Sequence, residues 1–124
     1  MRRDLEKLVF KRKKYIIMKE LEIEFDGKGK TKGFHYKQIR ISPIAYIYEV
    51  TCDNDGYKDT WYEVFKRVEN MGGTHNIGGV DVFFEPKVSY PNDNAFGVTA
   101  WCCLSLERAN IRFESIKENS EEYN

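Results

Sequence analysis

The sequence predicts an α+β domain, in which an antiparallel, meander-like β-sheet of about five to six strands is packed by one C-terminal helix. Three observations predict this class. Apolar and polar residues alternate with period two along much of the chain, and hairpin punctuation separates two of these runs. A third strand-like run leads directly into a capped amphipathic helix.

The closing strand and helix carry the clearest pattern in the chain. Residues 96–104 alternate with period two, which predicts a strand with both faces at least partly buried. Ser105 lies where a helix N-cap belongs, and Glu107 lies in the first turn, where the helix dipole favours a carboxylate. An apolar stripe at helical spacing then predicts a helix that packs on the sheet: Leu106, Ala109, Phe113 and Ile116.

The remaining strands are predicted from alternation and from turn residues. Runs at 19–25, 34–41, 44–51, 61–68 and 80–85 are predicted to be extended. A tight bend at Ser42-Pro43 joins the second and third runs, and residues 53–56 (Asp-Asn-Asp-Gly) are hairpin punctuation before the fourth. Residues 70–79 are predicted to be a glycine-rich loop.

One domain accounts for most of the 124 residues. Residues 18–117 are predicted to form a single α+β domain, because this length can bury a core without disulfides. Residues 1–17 are expected to be a basic arm or short helix that need not belong to the core, and residues 118–124 an acidic frayed tail. No apolar run approaches 18 residues and no signal-like core is present, so a cytoplasmic location without membrane contact is expected.

The charges are unevenly distributed along a chain whose net charge is zero. Residues 1–40 contain 13 Lys and Arg against 6 Asp and Glu, whereas the rest contains 7 against 14. Clustered cations attract phosphate, so nucleic-acid binding is one alternative function. Its candidate residues are Lys28, Lys30, Lys32, Lys37 and Arg40. Strands from both halves that mix in one sheet would instead interleave these charges.

Cysteine and histidine do not form a recognisable catalytic or metal-binding motif. Cys102 and Cys103 are adjacent, and neighbouring strand residues point to opposite faces, so they are poorly placed to share a zinc ion. The three thiols, including Cys52, are therefore expected to be inert, and no catalytic residue, metal or cofactor is expected. A small enzyme or ligand-binding domain is the second alternative, and it would need a pocket that contains His35 or His75 beside a carboxylate.

The glycine-rich segment 70–79 is the candidate for recognition. Its glycines lack the Gly-Lys-Ser/Thr ending of a phosphate-binding P-loop, and no helix opens directly after it. Tips of connecting segments on a rigid sheet often carry recognition residues, so a protein partner is expected to contact Gly73, Thr74, His75 and Asn76.

Several runs of the sequence resemble a group of small uncharacterised proteins of gut Bacteroides and their phages. These runs are residues 45–50 (Ala-Tyr-Ile-Tyr-Glu-Val), 61–67 (Trp-Tyr-Glu-Val-Phe-Lys-Arg), 90–101 and 105–109 (Ser-Leu-Glu-Arg-Ala), followed by Phe113. The resemblance covers roughly residues 18–117. It implies a small cytosolic or phage-encoded accessory protein, located in the host cytoplasm if phage-encoded, and it implies no catalytic residues.

The sequence therefore predicts a non-enzymatic binding module that acts on a host or phage protein. An exposed sheet edge or the segment 70–79 would make the contact, and self-association through a sheet edge is the natural variant.

Overall fold

The computed structural model describes residues 6–11, 14–54 and 56–117, and it confirms the α+β class. The strands are β1 (Glu6–Lys11), β2 (Lys14–Lys19), β3 (Glu24–Asp26), β4 (Phe34–Ile41), β5 (Ala45–Asn54), β6 (Tyr57–Lys66), β7 (Glu69–Asn70), β8 (Gly73–Ile77), β9 (Val80–Phe84), β10 (Lys87–Val88) and β11 (Ala100–Cys103). One helix, α1 (Leu106–Ser115), follows them, and single 3₁₀ turns lie at Gly29–Thr31 and Asp93–Ala95. The chain divides into two compact units, Met1–Glu22 with Val68–Tyr90 and Ile23–Arg67 with Pro91–Asn124.

The second unit is a five-stranded antiparallel sheet with the strand order β11-β6-β5-β4-β3. The predicted meander is present as β4, β5 and β6. The turn between β5 and β6 follows the predicted punctuation, with Gly56 at φ 82°, although residue 55 lies outside the described residues. A positive φ at this position favours glycine, because a Cβ would crowd the backbone there.

Helix α1 covers one face of this sheet. Ala45 and Ile47 of β5 and Val64 of β6 form a buried cluster with Ala109, Phe113 and Ile116. The predicted N-cap is confirmed, since Ser105 Oγ accepts a hydrogen bond from the Arg108 N–H at 3.2 Å. Leu106, by contrast, is 45% exposed, so it does not belong to the buried stripe.

A β-bulge in β4 fastens the sheet to this helix. The register between β4 and β5 shifts between Gln38 and Arg40, which places Arg40 opposite Ile47 on the helix-covered face. Arg40 Nη1 donates to Asn110 Oδ1 at 2.7 Å, and Arg40 Nη2 donates to the Glu114 carboxylate. The guanidinium carbon lies 4.0 Å from the centroid of the Phe113 ring, a cation–π contact.

Aromatic side chains fill the opposite face of the sheet. Tyr46 and Tyr48 are fully buried and lie against Phe65, with ring centroids 5.3 and 5.7 Å apart. Their hydroxyl groups are satisfied, because the Tyr46 hydroxyl accepts from Arg67 Nη1 at 2.7 Å and the Tyr48 hydroxyl accepts from Gln38 Nε2 at 2.9 Å. Both faces of β5 are therefore buried.

The first unit corrects the expectation for residues 1–17. Within the described residues, β1 pairs antiparallel with β2, β2 parallel with β10, and β10 antiparallel with β7. The described residues 6–11 and 14–17 are therefore strands and not a helix, and Tyr15-Ile16-Ile17 is a β-branched and aromatic run that favours strand geometry. Residues 1–5, 12 and 13 lie outside the described residues. The predicted strand 19–25 is also wrong in extent, because β2 ends at Lys19 and β3 begins at Glu24.

The segment 70–79 is not the predicted loop. Gly73–Ile77 is strand β8, which pairs antiparallel with β9 as a separate two-stranded sheet. Only Gly78 and Gly79 form the turn, with φ 60° and 83°, and two consecutive positive φ angles match the type I′ turn that suits strand twist. The closing strand is also shorter than predicted, since it begins at Ala100 after a turn at Gly97 with φ 92°.

Replacement of Phe113 by alanine tests the helix-covered core. We expect Phe113→Ala to lower the free energy of unfolding by about 3–5 kcal/mol, because it leaves a cavity between α1 and the sheet. The control is Ile111→Ala on the same helix, which removes a side chain that is 65% exposed and should change stability by less than about 0.5 kcal/mol. Urea denaturation followed by tryptophan fluorescence measures both, and equal losses in the two variants would contradict this packing.

Candidate functional site

The hairpin of β8 and β9 presents large apolar side chains to solvent. Register places Gly73 beside Phe84, His75 beside Val82 and Ile77 beside Val80 on one face, which we call the hairpin apolar face. On this face Ile77 is 54%, Val80 62% and Phe84 44% exposed. The other face carries Thr74 beside Phe83 and Asn76 beside Asp81, and Phe83 is 66% exposed. Exposed large apolar side chains grouped on one element are typical of an interaction site.

Local contacts hold the hairpin in shape at both ends. Near the turn, Asn76 Nδ2 donates to Asp81 Oδ1 at 3.0 Å, and the Gly79 N–H donates to Asn76 Oδ1 at 3.2 Å. At the base, a Cβ on Gly72 would lie 2.2 Å from the Phe84 carbonyl oxygen, so only glycine fits there. The His75 and Phe84 rings meet edge to face with centroids 5.4 Å apart. These contacts preorganise a two-stranded element that would be marginally stable by itself.

The four predicted recognition residues lie together on β8. Thr74, His75 and Asn76 are exposed, and Gly73 is half-buried at the base. Sequence reasoning missed the apolar residues of the partner strand, among them Val80, Phe83 and Phe84. The consecutive Phe83-Phe84 pair could have revealed them, because in a strand one of two neighbouring residues must face away from a single core.

The basic candidates for nucleic-acid binding have different local surroundings. Arg40 is engaged with Asn110, Glu114 and Phe113, as described above. Lys30 lies 3.5 Å from Asp93, and Lys37 lies between Glu24 and Glu49 on the neighbouring strands. Lys28 and Lys32 are exposed next to the 3₁₀ turn. Acidic residues therefore lie beside three of the five candidates, Lys30, Lys37 and Arg40.

The aromatic residues near these cations pack within the sheet. Phe25 stacks on Tyr36 with centroids 4.7 Å apart, and Phe34 meets Trp61 edge to face at 5.2 Å. Tyr36 is only 5% exposed, so its ring is not a platform for a nucleic-acid base.

His35 bridges two carboxylates on the helix side of the sheet, beyond the buried cluster. Its Nδ1 lies 2.8 Å from Asp26 Oδ1, and its Nε2 lies 2.5 Å from Glu24 Oε2. Both hydrogen bonds raise the pKa of His35 above its usual value, and the one with Asp26 has the larger effect. All three side chains are exposed, and their contacts link β3 to β4.

The cysteines occupy three different environments. Cys52 is buried, Cys103 is half-buried on the helix side of β11, and Cys102 is exposed on the other side, as the alternation predicts. Partial burial of the thiol is the main cause that raises the pKa of Cys102, and the Glu63 carboxylate is the second. Partial burial also raises the pKa of Cys103. Such thiols are less reactive than free cysteine at neutral pH. No group of three or more metal-binding side chains occurs among the described residues.

No helix in the described part of the chain has the length and apolar character needed to cross a membrane. Comparison with known proteins finds no matching family model, no matching curated protein and no matching solved structure. The resemblance to Bacteroides and phage proteins therefore stays a prediction.

The link between β3 and β4 should depend on pH. Protonated His35 can donate to both carboxylates, so its pKa is higher in the folded protein than in the unfolded chain. The stabilisation is complete below the unfolded value, about 6.5, and is lost as the pH rises through the raised folded pKa. We therefore expect the unfolding midpoint in urea to fall over this interval in the wild type.

The double variant Glu24→Gln/Asp26→Asn keeps His35 but removes both acceptor charges. We expect a nuclear magnetic resonance titration to show a lower His35 pKa in this variant than in the wild type. An unchanged His35 pKa would contradict the bridging geometry.

Proposed function

We propose that the protein is a non-enzymatic binding module that contacts a partner protein through the hairpin of β8 and β9. The observation that carries the proposal is the exposed hairpin apolar face together with the exposed Phe83. Removing such side chains from water by contact with a partner is energetically favourable. Each of the two phenylalanines provides a large, rigid contact.

The chemistry of the hairpin favours a protein partner over a nucleic acid. Residues 73–84 contain no Lys or Arg, and Asp81 is their one formally charged residue at neutral pH. A phosphate backbone would find no cation there, whereas affinity for nucleic acids comes largely from cation contacts with phosphates. An apolar strand or sheet face of a partner would bury Ile77, Val80 and Phe84.

The mode of contact follows from the sheet topology. The two-stranded sheet has no further strand on either side among the described residues, so the outer edges of β8 and β9 can accept an added strand. Strand addition would combine backbone hydrogen bonds from the edge with pockets for alternate side chains. The four predicted recognition residues lie on one of these edges, where His75 shares the apolar face and Thr74 and Asn76 line the opposite one.

The resemblance to small Bacteroides and phage proteins suggests a host or phage protein as the partner. A cytoplasmic location for this contact agrees with the three cysteines, all of which are free thiols.

A conservative double variant tests the hairpin. Ile77→Thr/Val80→Thr keeps β-branched residues in the strands but makes the apolar face polar, so the fold should persist while partner binding weakens. We expect a loss of at least about ten-fold in affinity, since apolar hot-spot residues contribute about 1–2 kcal/mol each or more. Tagged full-length protein would first capture the partner from host lysate treated with nuclease, and a titration with the purified partner would then give the affinity.

The matched control is Ile39→Thr/Val98→Thr, which changes two exposed apolar residues outside the hairpin. It should bind like the wild type. Equal binding by the hairpin variant and the wild type would contradict the proposal, and capture that disappears with nuclease treatment would favour nucleic acid instead. Recovery of a second copy of this chain alone would identify the contact as self-association.

A further inference from the structure

A groove separate from the hairpin lies between edge strand β11 and helix α1 in the second unit. It has a volume of about 600 Å³ and is lined by Cys102, Cys103, Leu104, Arg108, Ile111, Arg112 and Ser115. The helix contributes residues at positions i, i+3, i+4 and i+7, which form one stripe beside the buried stripe of Ala109 and Phe113. The volume falls in the range of ordinary ligand sites.

The floor of this groove is the outer edge of strand β11, which is open at Cys102. β11 is the last strand of its sheet. The Thr99 carbonyl, just before β11, accepts a hydrogen bond from the N–H of Lys66 in β6. In an antiparallel pair the backbone groups of alternate residues point to opposite sides, so those of Ala100 and Cys102 point away from β6. The Ala100 carbonyl accepts from the Gly97 N–H at 2.7 Å, whereas the N–H and C=O of Cys102 have no partner among the described residues.

The wall of the groove carries two arginines that form no ion pair within the part of the chain that the structure describes. Arg108 forms no ion pair within the described residues, and Arg112 lies over the Trp101 ring, with its guanidinium carbon 4.6 Å from the ring centroid. The nearest acidic strand residue in register, Glu63 opposite Cys102, lies on the other face of the sheet. Beside these cations, Leu104 is 80% and Ile111 65% exposed.

We infer that this groove binds an extended acidic peptide segment of a partner protein, which adds a strand to β11. The segment would pair with the N–H and C=O of Cys102, and its alternate side chains would face α1. One of these would be Asp or Glu, held by Arg108 and Arg112, and the one two residues away would be apolar, against Ile111 and Leu104. The open strand edge favours a peptide over a small molecule, because it offers a donor and an acceptor at main-chain spacing. This inference is independent of the hairpin contact, which lies in the other unit.

A designed peptide provides the probe. The sequence Thr-Ile-Thr-Glu-Thr-Val-Thr, blocked at both ends, places Ile, Glu and Val on one face of a strand. We expect full-length protein to bind it saturably in a fluorescence anisotropy titration at low salt. In nitrogen-15 spectra, the amide shifts should concentrate at Cys102, Leu104, Arg108 and Arg112.

Matched changes on both molecules separate this contact from general attraction. Arg108→Gln/Arg112→Gln should weaken binding at least ten-fold, whereas Lys28→Gln/Lys32→Gln, which removes the same charge from exposed positions, should leave it unchanged. Replacing the Glu of the peptide with Gln should lower the affinity by about as much as the double arginine substitution does. A peptide that is N-methylated at alternate amides should not bind. Circular dichroism of each variant confirms that the fold persists.

Absence of saturable binding, or equal loss in the arginine and lysine variants, would overturn the inference. Undiminished binding of the N-methylated peptide would also overturn it, because strand pairing would then not contribute.

Discussion

Burial of both faces of β5 is the constraint on which the second unit depends. One face of this strand packs Ala45 and Ile47 under helix α1, and the other packs Tyr46 and Tyr48 against Phe65. Each fully buried large side chain contributes about 1.5–3 kcal/mol, so a few residues of one strand supply much of the stability. The tyrosine hydroxyls would oppose this burial if they were unsatisfied, and Arg67 and Gln38 prevent that.

Because both faces of the central strand β5 are buried, an added strand could bind the second unit's sheet only through its edge strands. The sheet around β5 ends at β11 on one side and at β3 on the other, so these two strands carry open backbone groups at the margins of the second unit's sheet. β3 is held by the charged link of His35 with Glu24 and Asp26. β11 instead borders a groove whose two arginines, Arg108 and Arg112, form no ion pair with a carboxylate among the described residues. The bulge between Gln38 and Arg40 places Arg40 against α1, where it binds Asn110 and is not available to a ligand.

The sequence predicted those elements whose signals are local. The bounds of β4 and the N-cap Ser105 are confirmed, because alternation and capping depend on neighbouring residues. The sequence predicts β9 as a strand but β8 as part of a loop, because the four glycines at 72, 73, 78 and 79 resemble loop composition although only Gly78 and Gly79 form the turn. All four candidate recognition residues nevertheless lie on β8. The groove beside β11 was not foreseeable, because it depends on the strand order of the sheet and on which helix stripe faces its edge.

Hydrogen exchange of the free protein, followed residue by residue, tests this account most directly. The amides of Tyr46, Ile47 and Tyr48 should exchange most slowly, at the rate set by global unfolding, because β5 is paired on both sides and buried on both faces. The amides of β8 and β9 should exchange far faster, through local opening of an unpartnered hairpin. Equal protection of β5 and of the hairpin in dilute protein would contradict the account, since the hairpin would then be part of a covered core rather than a free binding element.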